Sequence, residues 1–170
     1  EVQIELARDY LQAGLLDRAE SMSVALAQEN PEYRSDSLKV TLQVYEQERD
    51  WHRAIETAKQ ITGDDGGASI EPSISHYWCE LAELSLADQQ FLEASAHLTQ
   101  AIGHDAQNPR VSLLQGAVAL QSGDAEAAIH FFERVLDQDP GYVSESLQSL
   151  EQAHQLQGSE ARYRTYLERC

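Results

Sequence analysis

Apolar residues recur at helical spacing along most of the chain, in segments separated by short polar turns. The segment from Gly123 to Pro140 shows this pattern most clearly. Asp124 can accept hydrogen bonds from the first free N–H groups of a helix, and Pro140 ends that helix because its ring disfavours helical geometry in the preceding residue. The apolar and small residues between them share one face: Ala125, Ala128, Ile129, Phe132, Val135 and Leu136. The pattern predicts an amphipathic helix that buries this face.

A second helix is predicted directly before this one. Asn108 can cap its start, and Pro109 fits its first position, where the missing N–H is harmless. The two helices would pack antiparallel about a tight turn at Gly123, and the small residues Gly116 and Ala128 would let their backbones approach closely. Helix pairs of this size, repeated about every 34 residues, are typical of tetratricopeptide repeats.

The same helix pair recurs along the chain. An alanine marks the second helix of each pair, and these alanines follow one another at intervals of 35, 40 and 34 residues: Ala19, Ala54, Ala94 and Ala128. Stacked pairs of this kind share one continuous core. We therefore predict an all-α fold, a tetratricopeptide-repeat solenoid of antiparallel helix pairs that forms a right-handed superhelix. A single array would occupy residues 1–170, with repeats at approximately 1–33, 34–68, 69–107, 108–141 and, truncated, 142–170.

The longer interval before the third repeat coincides with the segment Gly63–Ser69, GDDGGAS. Its glycines and aspartates are typical of loops, so we predict a mobile inserted loop at one edge of the array. A phosphate-binding loop is the alternative interpretation. The segment lacks the Lys-Ser/Thr pair of such loops, however, and its two aspartates would repel phosphate.

Composition excludes several classes of function. With 12 basic and 29 acidic residues the formal net charge is −17, which argues against binding to a nucleic-acid backbone or to an anionic membrane surface. Two cysteines cannot form a disulfide framework. No apolar run approaches the roughly 20 residues that span a bilayer. The chain begins without methionine and ends within a helical pattern, so we expect a soluble fragment of a longer protein.

One short motif could carry metal or thiol chemistry. His76 and Cys79 lie three residues apart on a predicted helix, with His97 or His104 near in sequence. A zinc site needs three or four ligands, and a reactive thiolate would be disfavoured by the neighbouring Glu80. We interpret Cys79 as a packing residue and His76 as a surface residue. The sequence therefore predicts no metal, no cofactor and no enzyme active site in this chain.

The outward positions of the first helices predict a partner-binding groove. Extrapolating the repeat register selects these residues: Ile4, Arg8, Leu11, Lys39, Gln43, Glu46, Cys79, Glu83, Leu86, Arg110, Leu113 and Ala117. Such a mixture of charged, polar and apolar groups suits an extended peptide or a helix. We further expect the basic residues Arg8, Lys39 and Arg110 to attract an acidic partner segment. An ordinary surface without a partner is the alternative.

The last predicted helix is the one least well covered by other elements. Tyr163, Tyr166 and Leu167 lie on a helix that the pattern leaves incomplete at Cys170. Terminal repeats normally end in a polar capping helix. We therefore expect their apolar faces to cover the preceding helix pair incompletely or to pack against a neighbouring molecule, which would favour self-association.

Read in order, the chain resembles the bacterial lipopolysaccharide assembly protein B family. Five stretches carry the resemblance: RDYLQAGLLDRAE (Arg8 to Glu20), QVYEQERDWHRAI (Gln43 to Ile55), HYWCELA (His76 to Ala82), NPRVSLLQG (Asn108 to Gly116) and LERC (Leu167 to Cys170). The likeness covers nearly all 170 residues, including the unequal spacing of the repeats. The GDDGGAS insertion departs from the family pattern.

The resemblance implies a non-catalytic adaptor. In this family the repeats lie in the cytoplasm of a Gram-negative bacterium, and an N-terminal helix anchors the parent in the inner membrane. The family also has a C-terminal rubredoxin-like knuckle that binds iron or zinc. Its members help a membrane-bound AAA+ metalloprotease degrade the deacetylase of the lipid A pathway, which restrains lipopolysaccharide synthesis. Neither anchor nor knuckle can be assigned to this chain. The alternative is a generic tetratricopeptide module in another bacterial assembly.

Overall fold

The computed structural model describes residues 2–61 and 69–170. Within these ranges the chain forms ten α-helices and no strand, which confirms the predicted all-α tetratricopeptide-repeat fold. The helices are α1 (Val2–Gln12), α2 (Leu16–Glu29), α3 (Arg34–Glu48), α4 (Trp51–Ala58), α5 (Glu71–Ala87), α6 (Phe91–His104), α7 (Pro109–Gln121), α8 (Ala125–Gln138), α9 (Val143–Gln157) and α10 (Glu160–Leu167). Except for Ser69, the predicted loop at Gly63–Ser69 lies outside the described residues. No described helix has the length and apolar character that crossing a bilayer requires.

Side-chain caps begin several of these helices as the sequence predicts. The Asp124 carboxylate accepts a hydrogen bond from the backbone N–H of Ala127 at 2.9 Å, at the start of α8. At the start of α7, Asn108 accepts from the N–H of Arg110 at 3.0 Å. Each cap satisfies a backbone donor that has no partner within its own helix. The helix boundaries therefore follow from local chemistry.

The turns inside the helix pairs share one backbone conformation, whether or not a glycine is present. Gly14, Gly123 and Gly158 have φ angles of +71°, +90° and +65°. Arg49 and Gln89 occupy the equivalent turns with φ angles of +57° and +59°. The left-handed conformation costs a residue with a side chain roughly 1–2 kcal/mol. Packing of the two helices therefore offsets this strain in the pairs α3–α4 and α5–α6.

The chain forms two compact units, Glu1–Tyr77 and Trp78–Cys170, and α5 begins in the first and ends in the second. In the first unit α1 packs on α2 and α3, α2 packs on α3, and α3 packs on α4. Fully buried alanines let these helices approach closely: Ala7, Ala19, Ala54 and Ala58. Ser23 and Thr41 are also buried, and their hydroxyl oxygens lie 2.8 Å apart, so each satisfies the other inside the core.

In the second unit, two clusters of apolar side chains form the core. The first joins α5, α6 and α7 through residues such as Cys79, Leu98 and Val111. The second joins α7, α8, α9 and α10 through residues such as Phe132 and Leu150. The two clusters meet along α7, which contributes residues to both. That helix is consequently held from both sides, and its outward face has a fixed position within the unit.

The C-terminal helix is better packed than the sequence indicated. Tyr166 is 2% exposed within the second cluster, and Tyr163 packs against the same cluster. At Tyr166, α10 therefore packs closely on the preceding helices and leaves no apolar ring uncovered. Leu167 differs, since 42% of its surface is exposed. Any apolar contact offered by α10 therefore centres on Leu167.

Candidate partner-binding surface

Three of the predicted groove residues are core residues: Ile4, Leu11 and Cys79. Ile4 is 4% exposed and Leu11 is 7% exposed, and both lie on the face of α1 that includes the fully buried Ala7. Positions 4, 7 and 11 share one helical face, and that face packs on α2 and α3. The prediction that Ile4 and Leu11 line a groove is therefore wrong. Cys79 is likewise fully buried.

The polar groove residues of the first unit are exposed, but its two cations have carboxylate partners. Arg8 pairs with Glu5 at 2.6 Å, and Lys39 lies 3.7 Å from Asp36, each one helical turn away. Gln43 and Glu46 are also exposed on α3. Glu46 accepts a hydrogen bond from the phenol of Tyr77 on α5, within the same unit. This contact ties the surface carboxylate to the packing of the two helices.

In the second unit Arg110 on α7 binds two carboxylates of α5. Its Nη2 lies 2.7 Å from Glu80 and 2.8 Å from Glu83. Its side chain is 23% exposed, and burial lowers the pKa of Arg110, but the hydrogen bonds to Glu83 and Glu80 outweigh burial and raise this pKa above its ordinary value. Arg110 is also the only lysine or arginine between Lys59 and Arg134 in the sequence. The ion pairs of Arg110 with Glu80 and Glu83 hold α7 to α5 at the surface.

Glu80 was not among the predicted surface residues. The sequence holds a signal for it, since Glu80 and Glu83 lie three positions apart on α5 and share one face. The cation that joins them comes from another helix, 30 positions beyond Glu80 in the sequence. Only the fold brings these charges together.

These contacts overturn the predicted basic character of the groove. Each of Arg8, Lys39 and Arg110 lies beside at least one carboxylate, and Arg110 has two. A neutralised pair has a field that falls off quickly, and two carboxylates around one cation leave a negative excess. The surface therefore does not concentrate positive charge for an acidic partner segment.

Apolar groups lie beside the Arg110 ion pairs. Leu86 is half-buried against the α5–α7 cluster, and Leu113 is half-buried against the α7–α10 cluster. Ala117, one turn beyond Leu113, is also half-buried. We name this surface the Arg110 patch, made up of Glu80, Glu83, Leu86, Arg110, Leu113 and Ala117. It combines fixed charges with apolar edges on two helices that the ion pairs hold together.

The geometry agrees with the interpretation of Cys79 as a packing residue and His76 as a surface residue. Cys79 has no exposed surface, and burial raises the pKa of its thiol to about 12, although Arg110 opposes the shift. The thiol is therefore protonated at neutral pH and is not a nucleophile. His76 is exposed instead, with its ring centroid 6.3 Å from that of Trp51. The two side chains lie in different surroundings.

The other two histidines considered with that motif lie on α6. His97 is half-buried beside Trp78, with ring centroids 5.5 Å apart, and His104 lies in the last turn of α6. In residues 2–61 and 69–170, no group of three or more His, Cys, Asp or Glu side chains is arranged to hold a metal ion.

Comparisons with known proteins agree with this fold. A family model described as tetratricopeptide repeat matches residues 85–153. The chain is 33% identical over 166 residues to lipopolysaccharide assembly protein B of Escherichia coli (strain K12). This alignment covers 98% of this chain and 42% of the Escherichia coli protein. The chain is also 29% identical over 156 residues to the protein of the same name from Haemophilus influenzae. That alignment covers 89% of this chain and 37% of the relative. The resemblance to the lipopolysaccharide assembly protein B family is thus confirmed, and the chain spans less than half the length of these curated relatives.

Solved structures show the same architecture. The crystal structure of MamA protein superposes on this chain with a TM-score of 0.61. The superposition covers 98% of this chain and 87% of the MamA chain. Its sequence identity is 17%, so the likeness concerns the fold alone.

Proposed function

We propose that this chain, which resembles lipopolysaccharide assembly protein B along 98% of its length, is a non-catalytic protein-binding module. The observation that carries the proposal is the Arg110 patch. Arg110 and two glutamates supply oriented hydrogen-bonding groups, and Leu113 and Ala117 supply apolar contacts beside them. An extended peptide or a helix needs both, because its backbone requires polar partners and its side chains require apolar contacts. The protonated, buried Cys79 argues against thiol catalysis at the same place.

We propose further that the module acts as an adaptor in the control of lipopolysaccharide synthesis. The similarity to the Escherichia coli and Haemophilus influenzae proteins supports this proposal. In the parent protein the repeats would lie on the cytoplasmic side of the inner membrane, with a membrane anchor and a metal-binding knuckle supplied by other parts. The module would bring the deacetylase of the lipid A pathway to a membrane AAA+ metalloprotease for degradation.

The charges of the first-helix faces suggest how such partners would bind. Arg8 and Lys39 of the first unit, like Arg110 of the second, lie beside carboxylates of their own unit. A partner would therefore be recognised by apolar contacts and oriented hydrogen bonds, without unpaired cations that attract an acidic segment.

The test uses two matched lysine substitutions in the parent protein. Ala117→Lys places a long cation within the Arg110 patch, whereas Ala96→Lys places the same group on the exposed surface of α6. Binding of purified deacetylase and of the soluble region of the metalloprotease would be measured by calorimetry, and folding by thermal melting. We expect Ala117→Lys to weaken one of the two interactions by at least tenfold at an unchanged melting temperature, and Ala96→Lys to have no effect.

Two results would overturn parts of the proposal. Equal binding by both variants would show that the Arg110 patch is the wrong surface. If the unmodified parent binds neither protein, the assignment to lipopolysaccharide control is wrong, and the chain is a tetratricopeptide module of another assembly.

A further inference from the structure

A cleft of about 280 Å³ opens between α6, α7 and α8 in the second unit. Its apolar part is formed by Leu98 on α6, Val118 and Ala119 on α7, and Phe131 on α8. The cleft is separate from the Arg110 patch, because the two sites share no residue.

The equivalent position of the first unit carries a larger side chain. Ala119 lies nine positions before the marker Ala128, and the residue nine positions before the marker Ala54 is Tyr45. Tyr45 is 7% exposed, donates a hydrogen bond to Glu20 at 2.7 Å and lines a cleft of about 240 Å³ in the first unit. In the second-unit cleft, the methyl group of Ala119 occupies less space than this phenol would.

The polar wall of this cleft consists of hydrogen-bond acceptors. Ser95 donates its hydroxyl proton to the carbonyl of Phe91 at 2.8 Å, and Thr99 donates to the carbonyl of Ser95 at 2.9 Å. Ser122 donates to the carbonyl of Ala119 at 3.0 Å. A hydroxyl has a single proton, so all three present only lone pairs to the cleft.

Two further acceptors complete the wall. Asp124 contributes a carboxylate at the exposed rim. Gln115 lines the cleft with an amide that carries both an acceptor and an NH2 donor, and its acceptor Oε1 is buried without a hydrogen-bond partner, which is unfavourable. The terminal torsion of a glutamine is broad, and the amide can therefore turn towards a donor in the cleft.

The cleft and its surroundings are poor in basic side chains. The nine described residues that line the cleft include no lysine, arginine or histidine. The surrounding unit, residues 78–170, has five lysines and arginines against fourteen aspartates and glutamates. Both the wall and its surroundings therefore favour a group that carries positive charge and donates several hydrogen bonds.

We propose that this cleft is a binding site for an arginine side chain of a partner peptide. The guanidinium offers five N–H donors in a planar fork and accepts nothing, which matches a wall of acceptors. Its aliphatic stem would pack on Leu98, Val118 and Phe131, and its charged end would remain near Asp124 at the rim. The cleft is independent of the Arg110 patch, so either proposal can be wrong while the other one holds.

The first test compares blocked tripeptides with the full 170-residue chain in solution. Acetyl-Ala-Arg-Ala-amide would be titrated while the side-chain amide and backbone signals of Gln115, Ser122 and Asp124 are followed by NMR. The same peptide with citrulline, norleucine or glutamate in place of arginine supplies the comparison. We expect the arginine peptide to shift these signals with an affinity at least fivefold above that of citrulline, and we expect salt to reduce the difference. Equal shifts with norleucine, or stronger shifts with glutamate, would overturn the proposal.

The second test changes the cleft. Ala119→Tyr places a phenol ring at the cleft wall and should weaken the shifts by occupying part of the space. Gln115→Leu removes the unpartnered acceptor at nearly constant volume and should lower the affinity for the arginine peptide several-fold while leaving the norleucine peptide unchanged. Ala96→Tyr, on the exposed surface of α6, is the control. If Ala119→Tyr fails to fold, Gln115→Leu still decides, since an unchanged arginine affinity would contradict the proposed site.

Discussion

The ring of Phe132 in α8 lies against the backbone of Gly116 in α7. A Cβ atom built on Gly116 would come within 2.6 Å of Cδ1 of this ring, which is far inside van der Waals contact. Gly116 has no left-handed backbone angle that would require glycine. The residue is therefore small because another helix occupies the place of its side chain.

The first prediction follows from this contact. Gly116→Ala should destabilise the chain by about 1–3 kcal/mol, because overpacking forces the ring or the helix to move. Urea unfolding followed by circular dichroism measures the change. Gly103→Ala is the matched control, since a Cβ at Gly103 in α6 meets nothing within 4 Å, and a gain of about 0.5–1 kcal/mol is expected there. Gly116→Ala combined with Phe132→Leu should recover part of the loss, and equal effects at both glycines would contradict the argument.

The second prediction concerns the ion pairs of the first helices. Arg110→Gln should cost about 2 kcal/mol, because it removes charged hydrogen bonds from Glu80, which is only 16% exposed, and from Glu83. Arg8→Gln should cost under about 1 kcal/mol, since Arg8 and its single partner Glu5 are 41% and 61% exposed. The ranking follows from burial, and the same unfolding experiment measures it. A larger loss at Arg8 than at Arg110 would refute it.

The third prediction concerns His154, which is completely buried in the second unit. Its Nδ1 lies 2.8 Å from the hydroxyl of Ser159, and its Nε2 lies 3.9 Å from Glu133, whose carboxylate Arg162 also binds. Burial lowers the pKa of His154 below its ordinary 6.5, assisted by Arg162 and opposed by Glu133 and Glu160. The unfolded chain therefore binds a proton at a higher pH than the folded chain does.

This difference in proton binding fixes the direction of the pH dependence. The contribution of neutral His154 to stability is fully present above pH 6.5 and is lost as the pH falls from there towards its folded-state pKa. His154→Gln should lower stability at pH 7.5 and should give a flatter decline between pH 7.5 and pH 5.5. Unfolding free energies at several pH values measure both effects, and a steeper decline in the variant would be contrary to expectation.

The fourth prediction addresses self-association through α10. Leu167→Glu should reduce any concentration-dependent dimerisation seen in sedimentation, because Leu167 is the exposed apolar residue of that helix, at 42%. Leu92→Glu tests exposure alone, since Leu92 on α6 is 90% exposed. A strict monomer at high concentration, or equal effects of the two substitutions, would remove α10 as a contact surface.

The fifth prediction is that zinc does not stabilise this chain. His76 and Cys79 lie in different surroundings, and a structural zinc site would contribute several kcal/mol to folding. Added chelator should leave the melting temperature unchanged. A clear fall in melting temperature, reversed by zinc, would show that a site exists.

The sequence by itself determined the helices and their pairing. Asp124 and Asn108 cap α8 and α7 through hydrogen bonds two or three residues away, so those starts can be read locally. The periodic apolar faces and the alanine spacing then indicate the tetratricopeptide repeat. The sequence also singled out Gly116, but the reason differs from the predicted close approach of two backbones, because the side-chain ring of Phe132 occupies the place of a Cβ there.

The tertiary structure alone decided which side chains are surface and what they bind. Repeat register placed Ile4 and Leu11 outside, but the packing of α1 on two neighbours buries their whole face. Arg110 was expected to help attract an acidic partner segment, yet glutamates 27 and 30 positions earlier neutralise it. The cleft lined by Phe131 likewise depends on side chains from three helices. Burial and ion pairing are set by neighbours that lie far away in sequence, and local pattern holds no information about the distances between them.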